Sequence, residues 1–561
     1  MDAGGRATQD AQAEGPGVRA FWTHKGTYMT TCGEFLVKQL EAWGVDTVFG
    51  IPGVHTVELY RGLPHSAIRH ITPRHEQGAG FMADGYARVS GKPGVCFIIT
   101  GPGMTNILTA MAQAYADSIP MLVISSVNER ERLGLGKGYL HELPNQRALV
   151  AGVSAFSHTL MSVEELPSVL ARAFAVFEGE RPRPVHIELP LDIITAPAGH
   201  MRIQAKPSVS RAAPAVAQLR EAAAKLRAAK RPLLLLGGGC VAAQAEARAL
   251  AVALDAPTAL TINAKGLLPP GHPLLLGSNQ SLLPVRQLAL EADVVLAIGT
   301  ELGETDYDVV FDGNFKLGGE LIRIDIDAQQ LLRNHAPSLA IQSDARLAMR
   351  MLLADLPAGE MRADSPGARR TAAVQAQLAE DFSGWAHYRQ LFDTLLQALP
   401  EARFVGDSTQ TVYSGNHLVE LDGARRWFNS STGYGTLGYG LPAAIGAKLA
   451  EPGRPVICLI GDGGLQFSLP ELASAVEAKV AVVVLLWNNS GYGEIKRYME
   501  RRDITPLGVD IYTPDFLTIA RGFGCAAEQA RDHAHLAQLL RDAPQDRPLL
   551  IEIREAPPFH P

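Results

Sequence analysis

The chain has 561 residues, a formal net charge of -7 and 47% hydrophobic residues. This length predicts roughly two to four domains, and the negative charge without a basic run argues against a nucleic-acid partner. The five cysteines form no CxxC pair, which is typical of a reduced, cytoplasmic protein rather than a disulfide scaffold or zinc site. The longest apolar run, Val480 to Trp487, is too short to span a bilayer, so we expect no membrane partner.

Changes in composition divide the chain into an N-terminal extension and three blocks. The extension is rich in Gly, Ala and charge without the apolar core of a signal peptide, so we expect it to be disordered. Two stretches rich in Pro and small residues, Ala196–Ala215 and Pro357–Thr371, look like linkers. The predicted limits are 1–27 for the extension and 28–195, 211–357 and 385–556 for the three domains.

Short β-rich runs alternate with helical stretches in each block. In chain order, the clearest predicted strands are Thr47–Ile51, Gly94–Thr100, Met121–Ser126, Pro232–Leu236, Asp293–Ile298, Glu320–Ile326, Val456–Ile460, Ala481–Trp487 and Leu549–Ile553. The clearest predicted helices are Thr31–Trp43, Glu76–Val89, Met104–Ala116, Leu441–Ala450, Pro470–Ala478 and Asp515–Arg521. This alternation predicts an α/β protein of three doubly wound domains with parallel sheets, the first and third being related folds.

One loop of the third block has the composition of a diphosphate and metal site. Asp462 follows a predicted buried strand, and Gly461, Gly463 and Gly464 surround it. Glycines let a ligand approach the backbone closely, and free N–H groups at a helix start suit a diphosphate. A carboxylate beside that diphosphate is a typical way to hold Mg²⁺.

A second loop supplies matching oxygen ligands. Asn489 lies 27 residues after Asp462 and follows the next predicted strand, which is a strand–helix–strand distance. If the two strands are neighbours, both loops open on one edge of the sheet. The Asn489 amide and the Gly491 carbonyl then complete the coordination; two unrelated turns are the alternative.

The pairing of these loops resembles the GDG-x(24–27)-NN signature of thiamine-diphosphate (ThDP) enzymes, in the acetolactate synthase and 2-oxo acid decarboxylase superfamily. The resemblance implies three ThDP-enzyme domains, which are a pyrimidine-binding, a central and a diphosphate-binding domain. It implies Mg²⁺ bound at Asp462, Asn489 and Gly491, with Gly463 and Gly464 beside the cofactor. ThDP would serve as the electron sink for carbon–carbon cleavage.

The family also uses a glutamate that shares a proton with the pyrimidine ring of ThDP. Glu76 opens a helix whose sequence, from His75 to Tyr86, is very like the family's glutamate helix. The resemblance therefore implies a catalytic Glu76. The alternative is an acid that only interacts with the helix dipole.

A glycine-rich stretch of the third block can be read in two ways. Gly433 to Gly438 matches GxGxxG, a pattern that also occurs in NAD-dependent oxidoreductases. It resembles more closely a ThDP segment in which Gly435 contacts the cofactor's amino group and Leu437 supports its bent form. Ser408, Thr409 and Gln410 resemble the family's other cofactor loop, although Ser/Thr loops after strands are common.

In this family the pyrimidine half and the diphosphate half of a site come from different chains. The resemblance thus implies a homodimer or homotetramer with active sites at the subunit interface. The segment Ile298–Asp306 lacks the FAD-associated pattern of acetolactate synthases, which argues against FAD, although the central domain remains open to another nucleotide.

The overall pattern, including Gly50–Leu59 and Gly491–Tyr498, most resembles decarboxylases of 2-ketoarginine (5-guanidino-2-oxopentanoate) in arginine breakdown. A guanidinium substrate needs a carboxylate partner; Glu494 lies nearest the metal loop, and Glu304 and Asp306 are weaker candidates. His55, His141 and Gln146 are candidates for a proton donor that completes the product. The alternatives are an acetolactate-synthase-like carboligase acting on pyruvate, an NAD-dependent oxidoreductase and a non-catalytic scaffold.

Overall fold

The computed structural model describes residues 30–309 and 311–560. The predicted N-terminal extension, residues 1–27, lies outside the described residues. The described part contains three six-stranded sheets, and every strand pairing in them is parallel. The predicted α/β class with three parallel sheets is therefore confirmed. The domain limits stay predictions, and each predicted domain range contains one of the sheets.

The first domain has helices on both faces of its sheet. Its strands are β1 Thr47–Gly50, β2 Arg69–Ile71, β3 Gly94–Ile98, β4 Met121–Val127, β5 Phe156–Thr159 and β6 Val185–Pro190. Its helices are α1 Cys32–Ala42, α2 Val57–Arg61, α3 Glu76–Ser90, α4 Pro102–Asp117, α5 Gln146–Ala151, α6 Leu166–Gly179 and α7 Leu191–Ile194. Strands β3, β4 and β6 are buried along their whole length, as parallel strands covered on both faces should be.

The second domain follows a stretch, residues 198–215, that contains no helix or strand. Its strands are β7 Pro232–Leu236, β8 Thr258–Leu260, β9 Leu275–Gly277, β10 Val294–Ile298, β11 Glu320–Asp325 and β12 Leu339–Gln342. Its helices are α8 Val216–Ala228, α9 Gln244–Leu254, α10 Leu283–Glu291, α11 Glu304–Tyr307, α12 Ala345–Asp355 and α13 Pro366–Asp381.

Helix α13 corrects the predicted linker Pro357–Thr371. The Ser365 side chain accepts a hydrogen bond from the Ala368 N–H, and Pro366 occupies the first turn. Both features favour a helix start, because proline there lacks only an N–H that would have no partner within the helix. The linker interpretation is therefore wrong from residue 366 onward.

The third domain has the strands β13 Arg403–Gly406, β14 Trp427–Asn429, β15 Val456–Gly461, β16 Val483–Asn488, β17 Ala526–Gln529 and β18 Leu549–Arg554. Its helices are α14 Ala386–Ala398, α15 Gln410–Leu418, α16 Gly440–Ala450, α17 Asp462–Gln466, α18 Glu471–Glu477, α19 Gly493–Glu500, α20 Phe516–Gly522 and α21 His533–Arg541. Strand β16 ends one residue later than predicted, so Asn488 belongs to the strand and Asn489 opens the loop.

The order of strands places the ligand crevices. The first sheet runs β2-β1-β3-β4-β6-β5 and the third runs β14-β13-β15-β16-β18-β17, which is the same topology. In both, the order reverses between the first and third strands of the domain, and α/β sheets bind ligands at the carboxyl ends of the strands at such a point. The second sheet runs β12-β11-β10-β7-β8-β9, with its reversal between β7 and β10.

Helices α3 and α16 join the first and third domains. A Cβ on Gly85 would lie 2.0 Å from the Ala443 carbonyl oxygen, and one on Gly446 would lie 1.9 Å from the Met82 carbonyl oxygen. Only glycine permits this approach of the two backbones. The buried faces of both helices share one hydrophobic core, so the two domains pack together tightly.

Candidate active site

The Asp462 loop lies at the reversal point of the third sheet. Strand β15 pairs with β13 on one side and with β16 on the other, with Gly461 opposite Trp487. The condition for the predicted site, that the two strands are neighbours, is therefore met. The Asp462 side chain is 1% exposed, and its Oδ2 accepts the Gly491 N–H at 2.9 Å.

Asp462 is a buried carboxylate whose neighbours are main-chain donors. Burial raises the pKa of Asp462, while N–H groups that include those of Asn489 and Gly491 lower it. Within residues 30–309 and 311–560, no Lys, Arg or His forms an ion pair with it. Such a carboxylate fits a divalent cation, which would supply the missing positive charge.

The two asparagines have different surroundings. Asn488 is buried; its side chain donates to Glu552 at 2.6 Å and accepts the Ser490 N–H at 3.1 Å, so it shapes the turn. Asn489 is partly exposed and its side chain lies over Gly493. The described residues contain no cluster of three or more His, Cys, Asp or Glu suited to a metal. A site here would therefore use one carboxylate, one amide and one main-chain carbonyl.

The loop after β13 meets the Asp462 loop. Buried Asp407 accepts the N–H groups of Ser408 and Gly440, each at 2.9 Å, and burial raises its pKa to about 6. A Cβ on Gly464 would lie 2.9 Å from Asp407 Oδ1, and one on Gly461 would lie 2.9 Å from Thr409 Oγ1. The sequence pattern alone indicates no role for Asp407, because its partner Gly440 belongs to a segment 33 residues away in the chain.

The other predicted residues of these two loops, Ser408, Gln410 and Gly463, contact different neighbours. Ser408 Oγ lies 3.2 Å from Ser430 Oγ, and Gln410 contacts Tyr388 and Glu494 through its side-chain amide. Gly463 packs against the ring of Tyr492. The structure thus brings the 408–410 loop, the Asp462 loop and Glu494 to one sheet edge.

The glycine-rich loop between β14 and α16 leaves space for a ligand. Gly433, Gly435 and Gly438 all have positive φ angles, and a Cβ on Gly435 would meet nothing within 4 Å. Leu437 is half-buried.

The first domain anchors this loop. Thr432 Oγ1 donates to Asp117 at 2.9 Å, and Gln113 Oε1 accepts the Thr436 N–H at 3.4 Å. Asp117 also receives Arg88 at 2.6 Å. Sequence reasoning missed the roles of Gln113 and Asp117, because only the fold brings α4 to this loop.

The carboxyl edge of the first sheet carries Glu76 and two histidines. Glu76 is the first residue of α3, and its Oε2 accepts the Asn106 side-chain amide at 2.9 Å. The His55 and His141 rings are 5.3 Å apart, edge to face. The Nδ1 atoms of both rings are buried without a hydrogen-bond partner. Burial, followed by the effect of His141, lowers the pKa of His55.

Gln146 lies behind this edge. Its side chain is 3% exposed, and its Oε1 accepts Thr100 Oγ1 at 2.8 Å and the Gly101 N–H at 3.0 Å. Its Nε2 donates to Ser125, Ser126 and Glu188 at 3.0–3.2 Å. The amide therefore holds the turn after β3, and its own hydrogen bonds are satisfied inside the domain.

The three acids considered for substrate binding are in two places. Glu494 on α19 is 42% exposed and contacts Gln410, with Arg497 at 3.4 Å and Arg501 at 3.5 Å. Asp306 belongs to the central domain and accepts the Ile262 N–H at 2.9 Å, and Glu304 is exposed beside it. The structure therefore places only Glu494 with the metal loop.

A cavity of about 280 Å³ lies where the three domains meet, with Thr432 and Gly433 of the third domain in its lining. Its lining includes Gly238 and Gly239 after β7 and Gly299 after β10, so it opens at the reversal point of the second sheet. Arg181 and Asp325 also line it. The prediction against FAD is not tested by this geometry and stays a prediction.

The comparisons with known proteins agree with this geometry. The family model "Thiamine pyrophosphate enzyme, N-terminal TPP binding domain" matches residues 30–149, the "central domain" model matches 219–352, and the "C-terminal TPP binding domain" model matches 407–553. The chain belongs to the thiamine pyrophosphate enzyme family. The C-terminal model covers Gly433–Gly438, which favours the thiamine interpretation of that loop over the dinucleotide one.

Among thiamine pyrophosphate enzymes, the chain is 49% identical over 533 residues to the probable 2-ketoarginine decarboxylase AruI of Pseudomonas aeruginosa, covering 94% of each chain. It is 33% identical to the acetolactate synthase isozyme 1 large subunit of Escherichia coli, covering 93% of this chain and 94% of that one. A probable acetolactate synthase large subunit of Methanocaldococcus jannaschii is 31% identical, with 93% and 91% covered. The predicted resemblance to a decarboxylase of this family is confirmed.

No helix in the described ranges combines the length and apolarity that a bilayer crossing needs. All five cysteines are buried and unpaired. The predicted cytoplasmic location stays a prediction.

Proposed function

We propose that this protein is a ThDP- and Mg²⁺-dependent decarboxylase that converts 5-guanidino-2-oxopentanoate to 4-guanidinobutanal and CO₂ in arginine catabolism. The observation that carries the proposal is the buried Asp462 carboxylate, which lies beside the Asn489–Gly491 loop at the sheet's reversal point and pairs with no cationic side chain of the described residues. The 49% identity to a probable 2-ketoarginine decarboxylase supports this choice of substrate.

The residues at the third sheet edge fit the cofactor and its metal. Asp462, the Asn489 amide and the Gly491 carbonyl would hold Mg²⁺, which prefers oxygen ligands. The open space at Gly435 and the half-buried Leu437 leave room for the organic part of ThDP. Ser408, Thr409, Gln410, Gly463 and Gly464 would line it. When bound, ThDP accepts the electron pair released as CO₂ leaves.

Glu76 and the histidine pair would handle protons from the first domain. Glu76, held by Asn106, would exchange a proton with the cofactor's pyrimidine nitrogen through its carboxyl oxygens. His55 and His141 each keep a nitrogen without a protein partner, so we assign them the proton that completes the product. We assign Gln146, whose amide is fully engaged, the holding of the Gly101 turn rather than proton donation.

Glu494 would recognise the guanidinium group of the substrate. It lies at the metal-loop edge and already faces two arginine side chains of its own helix region, so this carboxylate is arranged for guanidinium partners. A substrate guanidinium would compete with Arg497 and Arg501 for the Glu494 carboxylate. We therefore expect Glu494 to strengthen substrate binding only modestly.

A second copy of the chain would complete the site. Large apolar side chains are exposed around the cofactor loops, with Tyr512 85% and Leu507 84% exposed. Phe467, also exposed, packs beside Gly438 of the glycine-rich loop. Tyr512 is tied to the Asp462 loop because Gln466 donates to its carbonyl oxygen. An exposed apolar face of this kind would be covered by a second copy of the chain, which supports the proposed homodimer or homotetramer.

The test is CO₂ release from a panel of 2-oxo acids with ThDP and Mg²⁺ added. The panel contains pyruvate, 2-oxoisovalerate, benzoylformate and 5-guanidino-2-oxopentanoate. We expect a preference for the guanidino acid, with 4-guanidinobutanal as product. Acetolactate formed from pyruvate would instead establish the carboligase alternative, which the 33% and 31% identical relatives represent.

A further inference from the structure

A buried carboxylate of the third domain lies against the start of the Glu76 helix. Glu471, the first residue of α18, is 2% exposed. Its Oε1 and Oε2 accept the main-chain N–H of Arg74 at 3.1 and 3.2 Å, and Ser474 Oγ donates to it at 2.7 Å. This contact joins residues from two domains immediately before α3.

The backbone of α3 makes room for this carboxylate. A Cβ on Gly78 would lie 2.2 Å from Glu471 Oε1, so the first turn of the helix admits the carboxylate only because Gly78 has no side chain. The negative charge also lies at the N-terminal end of a 15-residue helix, where the helix dipole favours it.

The surroundings of Glu471 make its ionised form costly. Burial raises its pKa to about 7, and the hydrogen bonds from Ser474, Arg74 and His75 offset only part of this effect. An apolar side chain would fill the same space without that cost. Unlike an apolar side chain, the carboxylate accepts hydrogen bonds from the N–H groups that precede Glu76, and these bonds have a preferred direction.

We propose that Glu471 is a positioning residue for Glu76. By holding the main chain of Arg74, two residues before Glu76, it sets the direction in which the first side chain of α3 leaves the helix. Glu471 lies nine residues after Asp462, so one short segment begins at the metal loop and ends at the Glu76 helix. This inference rests on the proposed function for the role of Glu76, but the contact itself does not.

The experiment compares Glu471→Gln with Glu477→Gln. Glu477 is a matched control because it lies on the same helix and pairs with the side chain of the same Arg74, but is 54% exposed. We expect Glu471→Gln to lower kcat by about tenfold to a hundredfold, the scale of a misplaced reacting group, with the KM for the 2-oxo acid unchanged. Glu477→Gln should retain the kcat of the parent.

Two readouts do not depend on turnover. In the cofactor-free protein, amide hydrogen exchange of the segment containing Arg74 and His75 should become faster in Glu471→Gln and stay unchanged in Glu477→Gln. ThDP and Mg²⁺ titrations followed by tryptophan fluorescence should give the same affinity in all three proteins. A large loss of affinity in Glu471→Gln would overturn the proposal, because it would place Glu471 in cofactor binding.

A double variant decides whether Glu471 acts through Glu76. In a Glu76→Gln background, Glu471→Gln should cause no further loss of residual turnover. A loss that multiplies with that of Glu76→Gln would overturn the proposal. If Glu471→Gln does not fold, Glu471→Asp retains the charge but shortens the reach and should lower kcat in the same way. Faster exchange at Arg74 in a chain inactive on every 2-oxo acid would refute the proposed function, not the contact.

Discussion

The first and third domains share one strand order but carry opposite kinds of chemistry at their sheet edges. At the third edge, the buried acids Asp462 and Asp407 accept main-chain N–H groups, and loops with little side-chain bulk leave space for a ligand. At the first edge, His55 and His141 keep unpartnered nitrogens and Glu76 is only half-buried. Under the proposed function, the third edge would hold the diphosphate and its metal, whereas the first edge would present the groups that move protons.

The largest effect should follow from the loss of Asp462 at the carboxyl edge of the third sheet. Asp462→Ala removes the only carboxylate of the proposed metal site. We expect Mg²⁺-dependent ThDP affinity to fall by more than the roughly 10–100-fold that loss of an outer-shell partner costs. Fluorescence titration measures it, with exposed Asp546→Asn as the control. Normal affinity in Asp462→Ala would refute the metal site and with it the contrast between the two edges.

Loss of the acid function of Glu76, at the carboxyl edge of the first sheet, should leave cofactor binding intact. Glu76→Gln keeps the shape of the side chain but removes its acid function. We expect turnover to fall by about 10²–10⁴-fold, the scale of a lost general acid or base, while ThDP affinity stays the same. Glu221→Gln, on the exposed face of α8, is the control. Unchanged turnover would remove Glu76 from the mechanism.

The histidine pair should control the pH dependence of product formation. Burial and the neighbouring His141 lower the pKa of His55, so its protonated form exists only at acidic pH. If it donates a proton, kcat should fall as the pH rises through that lowered pKa. In His55→Asn we expect kcat to be lower by about 10²–10⁴-fold, the scale of a lost general acid, and this limb to disappear. In His141→Asn, which removes a neighbour that lowers the pKa of His55, the limb should move to higher pH. Persistence of the limb in His55→Asn would contradict the assignment.

A smaller effect on substrate binding is expected at Glu494, which lies at the carboxyl edge of the third sheet but is 42% exposed. Glu494→Gln should weaken use of the guanidino substrate by raising its KM a few-fold, since exposed ion pairs contribute little. The KM for an aliphatic 2-oxo acid should not change. Glu500→Gln, exposed at the end of the same helix, serves as the control. Equal changes for both substrates would reject a role in recognition.

The smallest effect on turnover is expected behind the first edge, where a buried histidine influences stability. His186 is fully buried between Ser125 and Ser157, and burial lowers its pKa to about 3. The unfolded chain binds a proton at this residue near pH 6.5, whereas the folded chain does not until about pH 3. The free energy of unfolding should therefore fall as the pH drops across this window. Urea titrations should show a smaller fall for His186→Gln.

The sequence predicted most about the third edge because its residues directly follow strands. Asp462 comes after β15 and Asn489 after β16, and their 27-residue separation fits a strand–helix–strand unit. The structure shows that the two strands are neighbours, which was the condition for a shared edge. The nine predicted strands were found within two residues at each end. In the described residues the structure adds nine further strands, most of them three or four residues long, such as β2 and β14, and so few residues carry too weak a pattern to be recognised. Strand β6, with six residues, is the exception that the sequence analysis missed.

The first edge could be predicted only in part. Glu76 was identifiable because it opens a helix with a family-like sequence, but His55 and His141 were only separate candidates. Their pairing depends on where the loops after β1 and β4 turn, and 86 residues separate them. Glu471 had no signal in the sequence at all, since its partner is a main-chain N–H 397 residues away.

The sequence by itself determined the α/β class, the three sheets and the resemblance to thiamine pyrophosphate enzymes, and it supplied the candidate residues of the proposed metal loop. These features depend on local hydrophobic patterns and on short motifs beside strand ends, where neighbours in the chain are neighbours in space. Only the tertiary structure decided which polar groups are satisfied and which are left available. The side chains of Gln146 and Asp407 are engaged in hydrogen bonds, whereas His55 and His141 each keep a buried nitrogen without a partner. Partners such as Glu188 for Gln146 and Gly440 for Asp407 come from distant segments that meet only when the sheets and helices pack.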